Sequence, residues 1–198
     1  MKSMSLKISM SKRKPVFGVG INDADYIVGK CPFYRKWTNM LMRCYSETYL
    51  INNPSYRGCT VSDSWLVFSN FRSWLENKGY GNNTEYELDK DILVKGNREY
   101  SENVCCLVPK EVNSFLVKLE GGGKFLPGVY YCKQDKVFVS QIRDNGKKLR
   151  IGSFDNELGA HDAWWERKCK LSESISELIL DLSVRIKFKE IFVLYGDK

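Results

Sequence analysis

Histidine occurs once in the 198 residues of this chain, at His161. A His/His/Asp metal cluster, a Ser-His-Asp triad or a histidine-based nuclease centre therefore has a single place available for its imidazole. No run of eighteen apolar residues occurs, which argues against a membrane span, and the N-terminal stretch MKSMSLKISMSKRK lacks the long apolar centre of a secretory signal. The expected location is the cytoplasm. There is no C-x-x-C pair, and the seven cysteines are odd in number, so reduced thiols are expected in place of a disulfide framework. Cys31, Cys44, Cys59 and Cys105 could in principle surround a zinc ion, but ligand pairs at finger spacing are missing. Zinc is not expected, and buried small hydrophobes are the default reading. Internal repeats and low-complexity segments are also absent.

What the chain does have is positive charge. Against 24 Asp+Glu stand 31 Lys+Arg, a formal net charge of +7 and a pI of about 9.0. At 43% hydrophobic and 28% charged the composition is globular, suiting one domain or two small ones. The excess sits in two blocks: +5 over residues 1–118 and +4 over 124–170, followed by a tail of −1 over 171–198. Between the blocks lies Gly121-Gly122-Gly123, the only triple glycine, which reads as a hinge. The expected domains are therefore 1–120, a linker at 121–124, 125–171, and a tail at 172–198.

In the first block, Trp37, Met40, Leu41, Cys44 and Tyr45 fall at helical spacing within Tyr34–Glu47. A second stripe, Trp65, Phe68, Phe71, Trp74 and Leu75, predicts one helix started by caps at Ser62-Asp63-Ser64 and ended by Gly79. Glu85–Leu93 and Val104–Val108 read as strands around the polar loop Lys95–Asn103, and Pro109 opens a helix over Lys110–Leu119. In the second block the period changes. Gly128–Cys132, Lys136–Arg143 and Lys148–Phe154 read as three strands, with Asp144-Asn145-Gly146 a strong hairpin turn. Asn156 caps a helix from Glu157 to about Lys170, and Ser172–Tyr195 predicts a further helix whose last part, Phe188–Tyr195, could be extended.

The stretch Gly128–Trp165 (GVYY…FVSQIRDNGKKLRIGSFDNELGAHDAWW) resembles the DNA-binding domain of the plant ethylene-response factors, the AP-two fold, which also occurs as the C-terminal module of phage and mobile-element HNH endonucleases. The resemblance rests on Gly128-Val129, Gln141-Ile142-Arg143-Asp144 and Arg150-x-Gly152-x-Phe154. It implies a three-stranded sheet placed in the DNA major groove. The residue types agree independently: Gln141 and Arg143, with Lys148 and Arg150 on the next strand, share a face and present donors to bases or phosphates. Tyr130, Lys133, Lys136 and Phe138 complete the expected DNA-binding face, whereas His161 lies in the helix of this module and reads as a packing or surface residue.

The stretch Glu87–Asn113 (ELDKDILVKGNREYSENVCCLVPKEVN) resembles the ββα-metal (HNH) unit of phage-encoded endonucleases. That resemblance places Asp89 at the first metal ligand, Asn113 at the helical ligand and Asn103 near the position that supports the general base. Lys90 occupies the place of the general-base histidine, as a substitute base or a phosphate-stabilising cation. Asp89, Asp91 and Asn113 offer oxygen ligands to Mg²⁺ or another divalent ion. The expected fold is α+β: N-terminal helices leading into the ββα unit, then a small antiparallel sheet packed on one helix, and a helical tail. The expected function is a phage or mobile-element endonuclease hydrolysing duplex DNA in a bacterial host's cytoplasm. The alternative is a catalytically degenerate DNA-binding protein, a regulator or interference factor.

Overall fold

A computed structural model describes residues 13–82, 85–116, 123–144 and 146–196. The chain forms two compact units, Met1–Leu107 and Val108–Lys198, each with mixed or predominantly helical content that together makes an α+β protein. The division falls within a strand, Cys106–Pro109, ahead of the triple glycine, whose Gly121 and Gly122 lie outside the described residues.

The first unit is built on α1 (Pro32–Tyr45), which begins with proline at its first position and buries Trp37, Met40, Leu41 and Cys44. After α2 (Glu47–Asn52) and a two-residue strand β1 (Thr60–Val61), the predicted second helix is in fact two: α3 (Asp63–Leu66) and α4 (Phe68–Asn77). Val67 between them is extended at φ −93°, ψ 123° because Ile21 captures the backbone on either side. The Ile21 amide donates to the Leu66 carbonyl (2.8 Å), and the Phe68 amide donates to the Ile21 carbonyl (3.0 Å). Ser62 precedes α3 without a side-chain capping bond. The two stripes meet in the core: Trp65 lies edge-on to Phe71 at 4.9 Å, and the Trp37 indole donates to the Trp65 carbonyl at 2.7 Å. A buried tryptophan keeps this N–H partnered because an orphaned one costs about 1–3 kcal/mol.

The predicted strand Glu85–Leu93 is shorter, β2 (Tyr86–Asp89), and pairs with β4 (Cys106–Pro109), which includes Pro109 as its last residue. Within the expected polar loop, β3 (Glu99–Tyr100) pairs in parallel with β1, Thr60 opposite Glu99 and Val61 opposite Tyr100. All seven cysteines are free thiols, and Cys44, Cys59, Cys105 and Cys106 are buried. Burial pushes the Cys44 and Cys105 thiols up to about 12, so they behave as packing groups and not as nucleophiles.

The second unit opens with α5 (Lys110–Leu116); the predicted continuation of this helix to Leu119 lies outside the described residues. An antiparallel sheet follows in the order β5 (Val129–Cys132), β6 (Val137–Asp144), β7 (Lys147–Phe154). Asp144 pairs with Lys147, enclosing a two-residue turn in which Gly146 adopts φ +78°; Asn145 lies outside the described residues. The helix α6 runs Glu157–Ser176, capped by the Asn156 side chain, whose oxygen accepts from the Gly159 amide at 2.8 Å. The tail departs from one helix over Ser172–Tyr195: α6 absorbs its start, the chain turns, and α7 (Leu182–Gly196) is helical throughout, including Phe188–Tyr195. Asp181 starts α7 by accepting from the amides of Ser183 (3.0 Å) and Val184 (3.3 Å). Phe115, Trp165, Phe188 and Phe192 join α5, α6 and α7 in one aromatic cluster. Lys168 is buried among these helices with its ammonium 3.5 Å from the Phe115 ring centre, donating to the Phe115 carbonyl at 2.7 Å.

Candidate nucleic-acid interface

Strand alternation in the second unit sorts the candidate DNA-binding residues onto faces. On β6, Ser140 and Ile142 are buried, and Asp144 on the same face meets Arg167 of α6 at 3.1 Å, so this face is turned to the helix. Gln141 and Arg143 take the opposite face. Register brings Arg150 directly across from Gln141, and Lys148 across from Arg143, so these four predicted residues stand together. Tyr130 pairs with Val139 and joins the same face, with its side chain 40% exposed. The register slips between Ser140 and Gln141, where β7 carries one residue more than β6. The bulge leaves Ile151 without a partner on β6, 36% exposed.

Lys133 and Lys136 occupy the exposed turn between β5 and β6, at the end of the sheet. Phe138 is the exception. It shares strand parity with Ser140 and Ile142, and its half-buried ring packs on Tyr131 (5.1 Å) and Phe125 (5.8 Å), which places it on the helix side and not on the open face. Lys147, which the sequence reading did not select, pairs with Asp144 at the hairpin end and so shares the helix-side parity. Asp144, the one acidic residue of the three strands, lies on the helix side, so the open face sets its cations beside the neutral Tyr130, Gln141, Ser153 and a buried Val139, while Asp135 is exposed in the turn between Lys133 and Lys136. Among the described residues Arg143, Lys148 and Arg150 form no ion pair.

His161 is used in packing. Its ring stacks on Trp164 (5.5 Å, 24° between planes), and its Nδ1 lies 2.9 Å from the Pro127 carbonyl oxygen. A carbonyl only accepts, so Nδ1 carries the proton and donates. This contact locks the helix to the entry of β5, where Gly128 passes beneath Trp164.

The second candidate region, in the first unit, is the turn after β2. Asp89 Oδ1 accepts from the amides of Asp91 and Ile92, both at 2.8 Å, a local turn in which the carboxylate replaces strand pairing. Lys90 donates to both oxygens of Asp91 (2.7 and 2.8 Å) and to the Asn97 carbonyl (2.7 Å). Asn97, which sequence reasoning passed over, closes the loop: its amide donates to the carbonyls of Lys90 (3.0 Å) and Glu99 (2.5 Å). Its neighbour Gly96, at φ +73°, supplies the left-handed residue of this tight turn. Behind the turn stand Arg43, above the Tyr56 ring at 5.9 Å, and Tyr100, whose hydroxyl is raised by burial.

This geometry does not fit a divalent cation. Asp91 spends its oxygens on Lys90, Asp89 spends Oδ1 on two amides, and among the described residues no group of three His, Cys, Asp or Glu side chains is placed to hold a metal. Asn103 is exposed in the turn before β4, and Asn113 is half-buried on α5 of the second unit. With Asp91 and the Asn97 carbonyl as its acceptors, Lys90 serves here to close a turn.

Burial is the main reason that the Asp89 carboxyl is held above the ordinary carboxylate range, with its two amide bonds opposing the shift. A raised carboxyl binds more protons folded than unfolded. Its contribution therefore favours the fold below its folded pKa and is lost as pH rises from the ordinary value through the raised one. Asp89→Asn is expected to remove that part of the slope when denaturant stability is measured across the mildly acidic range. An unchanged slope would contradict the burial of the charge.

No family model, curated protein or solved structure matches the chain.

Proposed function

We propose that the protein binds duplex DNA, laying the open face of its three-stranded sheet in the major groove. One observation carries this reading: Gln141, Arg143, Lys148 and Arg150 stand as two cross-strand pairs on one face, on which the described residues of the three strands place no carboxylate. The dimensions are compatible. Alternate residues of a strand lie about 6.6 Å apart, close to two base-pair steps, and the groove admits a β-ribbon. Arginine and glutamine carry the bidentate donors and acceptors that read guanine and adenine edges, and the lysines at the turns neutralise phosphate. The +7 net charge supports capture of a polyanion.

A second reading is metal-dependent hydrolysis of that DNA, as in the phage and mobile-element endonucleases that the sequence resembles. It is favoured by the chain order β2, loop, β4, α5, with Asp89 at the end of the first strand. The carboxylate arrangement around Lys90 speaks for the binding reading, in which the protein acts as a regulator or interference factor. Incubating the protein with Mg²⁺ and labelled duplex, and following both the complex and the products on gels, separates them. Binding with no cleavage is expected. Mg²⁺-dependent products lost in Asp89→Ala would favour the nuclease, and the absence of any complex would overturn both.

A further inference from the structure

Arg150 and Ser153 are three residues apart on β7, and in a regular strand residues at an odd spacing point to opposite faces. Here they do not. Arg150 is paired with Gln141 and Ser153 with Val139, so three residues of β7 span two of β6, and the bulge at Ile151 returns Ser153 to the face of Arg150. The consequence is a direct bond: Arg150 Nη2 donates to the Ser153 hydroxyl. Both residues are exposed, and among the described residues Arg150 has no carboxylate partner. Ser153 is thus a strut on an otherwise unpaired guanidinium. Arg143, on the same face, has no such strut among the described residues and stands opposite Lys148.

We propose that Ser153 is a positioning residue for sequence recognition, holding the Arg150 fork toward a base edge so that the sheet reads a guanine at that point, while Arg143 and Lys148 serve mainly to neutralise phosphate. The inference rests on the DNA-binding reading above. An arginine reads guanine only when its planar fork lies in the plane of the base and two N–H groups meet O6 and N7 together, so orientation decides whether it specifies or merely attracts. An unheld arginine spreads over many rotamers and finds the phosphates as readily. One hydroxyl engages one N–H of five, leaving the rest of the fork free for the base.

The test begins by selecting preferred sites for the intact chain from a duplex pool with a randomised centre. Affinities are then measured for the preferred duplex, for each single-base variant and for a scrambled duplex. Ser153→Ala is expected to lower the preference for one guanine by about tenfold, with affinity for the scrambled duplex, its salt dependence and the thermal midpoint unchanged. Ser153→Thr, which keeps the hydroxyl, is expected to retain the preference. A Ser153→Ala chain that loses affinity equally for all duplexes, or that keeps the full guanine preference, overturns the assignment. A wild-type chain that binds DNA without sequence preference overturns this inference alone. A wild-type chain that binds no DNA overturns the DNA-binding reading and this inference with it.

Discussion

Gly128→Ala is expected to destabilise the second unit by about 3–5 kcal/mol, combining positive-φ strain with overpacking. Gly128 sits at φ +80°, and a Cβ built there would lie 2.0 Å from Trp164 Cγ, 2.1 Å from Cδ1 and 2.6 Å from Cδ2. The indole cannot withdraw, because Trp164 is buried and carries the stacked His161 ring, whose Nδ1 donates to the Pro127 carbonyl next in the chain. Small domains have only about 5–15 kcal/mol in total, so this one methyl removes a large share. Chemical denaturation followed by far-ultraviolet circular dichroism measures the effect on the transition of this unit. Pairing Gly128→Ala with Trp164→Leu is expected to recover part of the loss beyond the additive sum, because the clash is shared. A loss under about 1 kcal/mol, ordinary for a surface change, would mean that the helix is not seated over this glycine.

The largest effect on function is expected from Arg143→Glu combined with Arg150→Glu. Each change removes a donor fork and places a carboxylate where phosphate or base acceptors would approach. Duplex affinity at low salt is expected to fall by about a thousandfold or more, taking ~1–3 kcal/mol for each bidentate contact plus the added repulsion. The matched control is Lys187→Glu with Lys189→Glu on α7, which makes the same change in net charge away from the sheet. The control is expected to weaken binding by no more than about tenfold, through long-range charge alone. Equal losses in the two variants would reduce the sheet to one charged surface among several.

The parts that were legible in the sequence are those that depend on neighbours along the chain. The three strands of the second unit follow from alternation and from a turn whose Gly146 needs positive φ, and α6 follows from its Asn156 cap. Because strand parity is local, the grouping of Gln141 and Arg143 was legible too. The same parity sets Phe138 opposite to them, against the grouping first expected, and its pairing with Phe154 and contacts with Tyr131 and Phe125 agree. The split at Val67 depends on Ile21, and β3 depends on β1, partners far away in sequence that leave no periodic mark. The bulge at Ile151 is likewise a property of pairing, and with it the Ser153 contact that alternation alone would have denied.

The first unit shows the limit of matching residue types in order. Asp89 and Lys90 stand where a nuclease pattern would place a ligand and a base, yet Asp89 Oδ1 and the Lys90 ammonium are taken up by the turn that Asn97 closes. A carboxylate that caps two amides and an ammonium that bridges a carboxylate and a carbonyl are structural solutions to a sharp reversal after a four-residue strand.

The most direct test of a DNA-binding sheet is the salt dependence of duplex affinity. Lys133, Lys136, Arg143 and Lys148 around the open face correspond to about four phosphate contacts, so a plot of log affinity against log salt is expected to fall with a slope of about −3.6. Lys148→Ala should make that slope shallower by about one contact's worth. A duplex affinity that does not change with salt, or a chain that shows no complex even at low salt, would contradict the account.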